Sequence, residues 1–272
     1  MSKRKRLPIA LSIAGSDSGG GAGIQADLKT FESLDVHGTT AITCLTAQNP
    51  KGVIGIQACR PEIVRQQIEA VFAELQPGAV KTGMLYSTEI ISVVVEFFEA
   101  AGRPPLVVDP VMISTSGARL LKSSAIEMIT SRLLPLAALV TPNLDEAQLL
   151  VSHELKSIED LRAAARFIYE RFGCAALVKG GHLRNSREAA DIFFDGETEL
   201  LLTAPFIKGV STHGTGCTYS AAITSFIARG ESLPAAVQHA KEYITRAIAQ
   251  SHKAGKHFVL HHAGSGATRR PH

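Results

Sequence analysis

The sequence has no tryptophan, only 6% aromatic residues, and four cysteines that stand singly along 272 residues. Because no CxxC pair or zinc-finger histidine spacing accompanies the cysteines, neither a metal knuckle nor a disulfide framework is predicted. Charged or proline residues such as Glu96 and Pro135 cut its apolar runs before the roughly 18 residues that a membrane helix needs. No apolar segment of a secretion signal follows the basic residues at 3–6. We therefore expect a cytoplasmic protein with no membrane partner.

Neither sign of charge dominates. Lys and Arg number 28 against 25 Asp and Glu, a net charge of +3 that lies partly at positions 3–6 and 269–270. This excess is too small for a nucleic-acid-binding surface, so no nucleic-acid partner is expected. A hydrophobic content of 45% excludes disorder. No linker or change of composition divides the chain, which predicts a single domain over 1–272, with a core at about 8–251 and a flexible tail at about 261–272.

Short apolar runs alternate with amphipathic stretches, a pattern typical of an α/β fold with a mainly parallel central sheet flanked by helices. Strands are predicted at residues 9–14, 39–45, 53–58, 79–82, 106–108, 138–141, 175–179, 191–194 and 200–203. Helices are predicted at residues 24–34, 61–75, 88–101, 123–133, 157–171, 215–229 and 233–251. The pair Asp195-Gly196 favours a tight turn and predicts a β-hairpin between residues 191 and 203.

The first junction with unusual residues is a glycine-rich stretch at 14–23, AGSDSGGGAG, between a predicted strand and a predicted helix. Its five glycines between 15 and 23 allow the backbone to approach a ligand closely or fold over it. The spacing matches neither GxGxxG nor a phosphate loop ending in GK[ST], so both common nucleotide-binding motifs are absent. The alternative is a flexible connection with no ligand.

Acidic residues follow two further strands. Asp109 lies in VDPVM at 108–112, and Glu146 lies in TPNLDEA at 141–147, which also contains Asn143. Asp109 could be a turn former before proline, and Glu146 a first-turn acid favoured by the helix dipole. Carboxylate and amide oxygens at strand ends are equally what hydrated Mg²⁺ beside phosphates requires. Both interpretations remain open on the spacing alone.

The fourth junction, STHGTGCT at 211–218, precedes a predicted apolar helix. The consecutive small residues Gly214, Thr215 and Gly216 expose backbone N–H groups at a helix start, which forms an anion site. Cys217 lies in the same first turn, where we expect the helix field to favour its thiolate. The alternative is an inert buried cysteine, as we expect for Cys44, Cys59 and Cys174.

Seven stretches in this order resemble the ribokinase-like superfamily and, within it, the hydroxymethylpyrimidine/phosphomethylpyrimidine kinases of thiamine biosynthesis. The stretches are GSDSGGGAGIQADLKT at 15–30, TAQNP at 46–50, KTGML at 81–85, VDPVM at 108–112, TPNLDEA at 141–147, KGGH at 179–182 and STHGTGCTYSAAI at 211–223. The resemblance extends over about residues 9–251. It implies a ribokinase-like three-layer fold, phosphorylation of a pyrimidine alcohol by ATP with Mg²⁺, and a homodimer.

The resemblance also implies roles for individual residues. Cys217 takes the place of the aspartate base of sugar kinases, above an anion hole formed by Gly214, Thr215 and Gly216. ATP is implied to meet Lys179, Asn143 and Thr212, while Asp109 and Glu146 hold Mg²⁺ through water. The implied substrate-binding residues are Gly15, Asp27, Gln48, Met84 and Val111. Phosphoryl transfer tolerates a cysteine at the base position, because it depends mainly on positioning and charge neutralisation.

Three alternatives to a pyrimidine kinase remain at this stage. A pyridoxal or pyridoxine kinase would use the same machinery on another heteroaromatic alcohol. A thiol hydrolase or acyltransferase would use Cys217 as nucleophile and His213 as base, although the sequence shows no third group to orient that histidine. A vitamin-precursor sensor would keep the fold without catalysis.

Overall fold

The computed structural model describes residues 6–112, 121–181, 183, 188–207 and 213–262. The strands are β1 (Ile9–Ala14), β2 (His37–Ile42), β3 (Cys44–Asn49), β4 (Gly52–Ala58), β5 (Ala79–Thr82), β6 (Leu106–Val108), β7 (Leu139–Val140), β8 (Ala175–Lys179), β9 (Glu188–Phe194), β10 (Glu199–Pro205), β11 (His252–Ala254) and β12 (His257–Val259). The α-helices are α1 (Gly23–Ser33), α2 (Pro61–Glu74), α3 (Thr88–Phe98), α4 (Ser123–Met128), α5 (Leu144–Val151), α6 (Ile158–Phe172), α7 (Thr215–Ala228) and α8 (Leu233–Ala249). A π-helical turn, Ile129–Leu133, continues α4. Across these ranges, no helix is both long and apolar enough to cross a bilayer.

Eight strands form the central sheet, in the order β10-β9-β8-β7-β6-β5-β1-β2. The six strands from β8 to β2 in that order are parallel, whereas β9 and β10 are antiparallel to their neighbours. The predicted α/β fold with a mainly parallel sheet is therefore confirmed. The predicted hairpin is confirmed as well, since β9 and β10 pair antiparallel and Gly196 has a φ of 100° in the connecting turn.

Helices cover both faces of the sheet. Successive residues of a strand point to opposite faces, so Leu106 and Val108 of β6 join the core beneath α2 to α6, while Val107 packs against α7 and α8. Helix α1 lies beside α7 on this second face, next to β1 and β2. The strands read as continuous apolar runs because both of their faces are buried.

Helix α5 and the strands β11 and β12 were not predicted, and two predicted segments differ from the structure. The strand predicted at 39–45 is two strands, because the chain leaves the sheet after Ile42 and continues as β3, which pairs with β4 in a separate two-stranded sheet. The prediction of a flexible tail from residue 261 is wrong for its first two residues, and residues 263–272 lie outside the described residues. His261 donates its backbone N–H to the carbonyl of Ala247, and Nε2 of His262 lies 3.1 Å from Oγ1 of Thr218, so these two residues pack on the fold. A third short sheet, β11 with β12, precedes them.

Candidate active site

A cavity of about 530 Å³ opens at the carboxyl ends of β1, β5, β6 and β8, beside the N-terminus of α7. Parallel strands end at a common edge, where the following loops leave room for ligands. The cavity is lined by all the predicted site residues except two: Gly15, Gln48, Met84, Asp109, Val111, Asn143, Glu146, Lys179, Gly214, Thr215, Gly216 and Cys217. The exceptions are Asp27, which is buried elsewhere, and Thr212, which lies outside the described residues.

Asp17 organises the glycine-rich stretch after β1. Its carboxylate accepts backbone N–H groups from Gly19 at 2.8 Å, Gly21 at 3.0 Å and Ala22 at 2.8 Å. Nε2 of His213 lies 3.2 Å from the same carboxylate. Burial acts to raise the pKa of Asp17, but these hydrogen bonds and His213 outweigh it and lower the pKa to about 2. Sequence reasoning gave this residue no role, although the glycines around it were the signal.

Gly214 forms the N-cap of α7 with a φ of 81°. This left-handed conformation favours glycine, and a Cβ at this position would overlap the carbonyl oxygen of Gly21. The first N–H groups of a helix have no partner within the helix, so those of Thr215, Gly216 and Cys217 point toward the cavity end of the helix axis. The glycine-rich stretch and the start of α7 therefore form one surface suited to an anion.

Cys217 lies on this surface, but its thiolate is not favoured as the sequence predicted. Removal from water raises the pKa of the thiol to about 11, and the nearby Lys81 and a backbone N–H of Gly23 only partly oppose this. At neutral pH the group is a thiol. His213 does have an orienting partner, Asp17, yet a nucleophilic Cys217 would need the thiolate that its surroundings disfavour.

The carboxylates predicted to hold a cation lie beside Lys179. Nζ of Lys179 is 3.3 Å from Oδ1 of Asp109, and Oγ of Ser220 donates to Oδ2 at 3.4 Å. Glu146 accepts the backbone N–H groups of Met112 and Asn143, at 2.9 and 3.0 Å. Its pKa is raised to about 7, first by burial and then by the negative charge of Asp109.

Asn143 and Glu146 also form the capping box of α5, with Glu146 N–H donating to Oδ1 of Asn143 at 2.9 Å. The helix-start interpretation of these residues is therefore correct. It does not exclude a role at the cavity, which both residues line.

Asp27 lies outside the lining of the cavity. Its side chain has no exposed surface, and both oxygens have partners: Nζ of Lys81 lies 2.8 Å from Oδ1 and Oγ of Ser12 donates to Oδ2 at 2.5 Å. Its role as a substrate-binding residue stays a prediction. Its partner Lys81 is a sequence-distant residue that no local pattern connects to α1.

The substrate end of the cavity is formed by the other predicted residues. Gly15 packs so closely that a Cβ would lie 2.7 Å from Sγ of Cys44 and 3.0 Å from Cε of Met84. Oγ1 of Thr46 donates to the backbone carbonyl of Ser16 at 2.7 Å and lies 3.1 Å from Oε1 of Gln48. Val111 has a φ of 41°, a strained conformation for a β-branched residue.

The opposite end of the cavity was missed by sequence reasoning. It is apolar, with Ala204, Ile244 and Ile248 in its wall, and it contains a buried ion pair between Lys241 and Asp191 at 2.7 Å. Oδ1 of Asp191 also accepts the backbone N–H of Gly180, next to Lys179, at 3.1 Å. An apolar wall with a few convergent polar groups is typical of a site for a heteroaromatic ligand.

Comparison with known proteins decides the family. The sequence profile described as "Phosphomethylpyrimidine kinase" matches residues 17–262. The chain belongs to the phosphomethylpyrimidine kinase family. A hydroxymethylpyrimidine/phosphomethylpyrimidine kinase of Synechococcus elongatus is 47% identical over 245 residues, which cover 90% of this chain and 93% of that protein.

Two solved structures show the same fold. Phosphomethylpyrimidine kinase from Clostridium difficile is 42% identical, with a TM-score of 0.79, and the match covers 88% of this chain and 99% of that one. Pyridoxal kinase from Staphylococcus aureus, solved in complex with AMP-PCP and pyridoxal, is 35% identical, with a TM-score of 0.87 over 97% and 96% of the two chains. Members of the phosphomethylpyrimidine kinase family and pyridoxal kinases thus share one architecture.

Proposed function

We propose that the chain transfers the γ-phosphoryl group of ATP to the hydroxymethyl group of 4-amino-5-hydroxymethyl-2-methylpyrimidine, and then a second phosphoryl group to the monophosphate, in thiamine biosynthesis. The observation that carries the proposal is the family match over residues 17–262, which includes the surface formed by the glycine-rich stretch and the start of α7. An ATP-dependent kinase needs an anion site at the point of transfer, and helix N-termini provide one.

At the transfer point, the N–H groups of Thr215, Gly216 and Cys217, with Gly214 as the cap that lets the backbone approach, bind the oxygens of the moving phosphoryl group. The Cys217 side chain faces the substrate hydroxymethyl group as a neutral thiol, because its pKa is about 11. It therefore orients the hydroxyl rather than removing its proton. This is sufficient for phosphoryl transfer through a loose transition state, in which little base catalysis is required.

The nucleotide lies along the other half of the cavity. Lys179 contacts its phosphates, Asn143 lies near the triphosphate, and the apolar wall beside Ile244 receives the base. Thr212, outside the described residues, stays a predicted ATP-binding residue. The substrate ring packs between Met84 and Val111 above Gly15. The side-chain amide of Gln48 is the group that recognises the pyrimidine edge.

The residues present fit Mg²⁺ bound through water. Asp109 and Glu146 are buried carboxylates. The pKa of Glu146 is raised first by burial and then by the negative charge of Asp109, and a divalent cation would relieve this repulsion. Within the described ranges no cluster of three or more acidic, histidine or cysteine side chains could enclose a metal, which agrees with an ion held mainly by ATP and water. When bound, Mg²⁺ supplies charge neutralisation at the phosphates.

Pyridoxal phosphorylation is the second candidate. The backbone of this chain matches the Staphylococcus aureus pyridoxal kinase with a TM-score of 0.87, against 0.79 for the Clostridium difficile phosphomethylpyrimidine kinase, which favours pyridoxal. The sequence identity is 35% to the pyridoxal kinase and 42% to the phosphomethylpyrimidine kinase, which favours the pyrimidine. Both substrates are hydroxymethyl-bearing heteroaromatic rings, so the same transfer point serves either one.

Product analysis separates these candidates. The purified protein is incubated with MgATP and equal amounts of hydroxymethylpyrimidine and pyridoxal, and products are identified by mass spectrometry. We expect pyrimidine monophosphate followed by diphosphate, both reduced at least about tenfold by Cys217→Ala and unaffected by Cys59→Ser. Pyridoxal phosphate as the main product would assign the second function. Binding of the pyrimidine without any turnover would assign the sensor.

Domain extent, localisation and association are proposed on the same basis. We infer that one kinase domain spans the chain, that it acts in the cytoplasm, and that two copies associate. The apolar β3–β4 hairpin supports association, because the side chain of Ile54 is 84% exposed and Leu45 is 52% exposed.

A further inference from the structure

Lys81 and Asp27 form an ion pair that the proposed function does not use. Neither side chain has exposed surface, Nζ lies 2.8 Å from Oδ1, and Ser12 occupies the second carboxylate oxygen at 2.5 Å. Burial acts to lower the pKa of Lys81, but Asp27 together with the nearby Cys217 and Asp109 outweighs it and the pKa is raised, so the ammonium stays charged. Taking two charges out of water costs several kcal/mol per ion before their attraction is counted, so such a pair is weak evidence for stability alone.

The pair lies directly beneath the wall of the cavity. Lys81 is the third residue of β5, and Gly83, two residues later, lines the cavity. A Cβ on Gly83 would be 3.7 Å from Nζ of Lys81. Asp27 belongs to α1, whose first residue, Gly23, donates a backbone hydrogen bond to Cys217. Strand β5, which contains Lys81, and helix α1, which contains Asp27, therefore both lie next to the proposed site of phosphoryl transfer.

Both charges of the pair act on the thiol of Cys217. Burial is the main cause of the raised pKa of the thiol, and among the charges around it Lys81 acts more strongly than Asp27 and in the opposite direction. A fixed dipole that points its cation at an anion site stabilises charge there without reorganisation, and its effect is larger in a water-poor surrounding.

We propose that Lys81 is a positioning residue of the phosphoryl-transfer site, held by Asp27 and Ser12 beneath Cys217 so that its charge reinforces the α7 N-terminus on a bound anion. The catalytic part of this inference rests on the proposed function, but its electrostatic part does not. In this interpretation Asp27 contributes to the site without touching substrate.

The proposal predicts that the reactivity of Cys217 depends on the charge of Lys81, whereas a merely structural ion pair would loosen the fold and speed alkylation when it is broken. The rate of Cys217 alkylation by iodoacetamide is measured at one fixed pH, resolved from the other cysteines by peptide mass spectrometry. Lys81→Met removes the cation and should slow alkylation about tenfold, because less thiolate forms. Asp27→Asn removes the carboxylate that most favours the charged form of the buried Lys81, so the lysine should lose its proton and alkylation should slow as well.

Lys241→Met is the matched control. It breaks another buried ion pair of the cavity, with Nζ 2.7 Å from Asp191, at the end away from Cys217. Its alkylation rate should stay within about twofold of the wild-type rate, whereas a general loosening of the fold would accelerate it. Circular dichroism checks that each variant is folded, and Asp27→Asn, which keeps the side-chain shape, decides the question alone if Lys81→Met does not fold.

Faster alkylation in Lys81→Met or Asp27→Asn would overturn the proposal, as would unchanged rates in both. For the reaction itself, Lys81→Met should lower kcat at least about tenfold and leave KM for the pyrimidine within about threefold. If the wild-type protein phosphorylates neither alcohol, the proposed function fails while the alkylation rates still decide the electrostatic claim.

Discussion

Asp17→Asn tests whether one carboxylate holds the glycine-rich stretch in place. The wild-type side chain accepts three backbone N–H groups and faces His213. Asparagine keeps a single acceptor oxygen and turns an NH₂ group toward backbone donors, so at least one of the N–H groups of Gly19, Gly21 and Ala22 loses its partner. The substitution changes few atoms and removes the charge.

The pKa of Asp17 gives the magnitude and its pH dependence. The value is lowered from 3.8 to about 2 in the folded protein, because the backbone donors and His213 outweigh burial. Because the pKa of Asp17 is lower in the folded than in the unfolded protein, the carboxylate stabilises the fold at pH values above the unfolded pKa. This stabilisation is lost as the pH falls through the folded pKa of about 2. The difference corresponds to about 2 kcal/mol at pH 7 and about 1 kcal/mol at pH 3.

Urea unfolding of both proteins at pH 7 and pH 3 measures this effect. We expect Asp17→Asn to lower the free energy of unfolding by about 2 kcal/mol at pH 7, and by about half as much at pH 3, where the wild-type carboxyl begins to be protonated. Glu69→Gln, on an exposed position of α2, removes the same charge and should change either value by less than about 0.5 kcal/mol. A difference that is the same at both pH values would refute the reasoning.

Two further predictions concern the transfer point and the assembly. Gly214→Ala should reduce kcat/KM at least about 100-fold, since its Cβ would overlap the Gly21 carbonyl, whereas Gly102→Ala, with a φ of 76° and no neighbour within 4 Å, should cost stability but not activity. Ile54→Lys should convert dimers to monomers in sedimentation velocity, and Phe167→Lys, on α6, should not. An active Gly214→Ala enzyme, or a dimeric Ile54→Lys protein, would contradict these accounts.

The sequence predicted the parallel strands well because burial on both faces leaves a continuous apolar run. The bounds of β1, β5, β6 and β8 are those expected. The break between β2 and β3 was missed because its cause is tertiary. At Thr43, the backbone N–H bonds to Ala14 and the hydroxyl bonds to Met84, 2.6 Å away, which turns the chain out of the sheet.

The sequence predicted which loops surround the cavity more accurately than it predicted which side chains contact one another. Strand ends and a helix start identified the residues around the cavity, since parallel topology brings those positions together. The partner of Asp27 could not be predicted, because Lys81 lies 54 residues away. The state of Cys217 was mistaken because a local pattern shows the helix field but not the burial that raises the pKa of the thiol.

Steady-state kcat/KM values for hydroxymethylpyrimidine, its monophosphate and pyridoxal, measured side by side with MgATP, test the central claim most directly. The account predicts turnover of both pyrimidines with kcat/KM at least about tenfold above that for pyridoxal, which corresponds to about 1.4 kcal/mol of preferential transition-state binding. A larger kcat/KM for pyridoxal, or no turnover of the pyrimidine monophosphate, would contradict it.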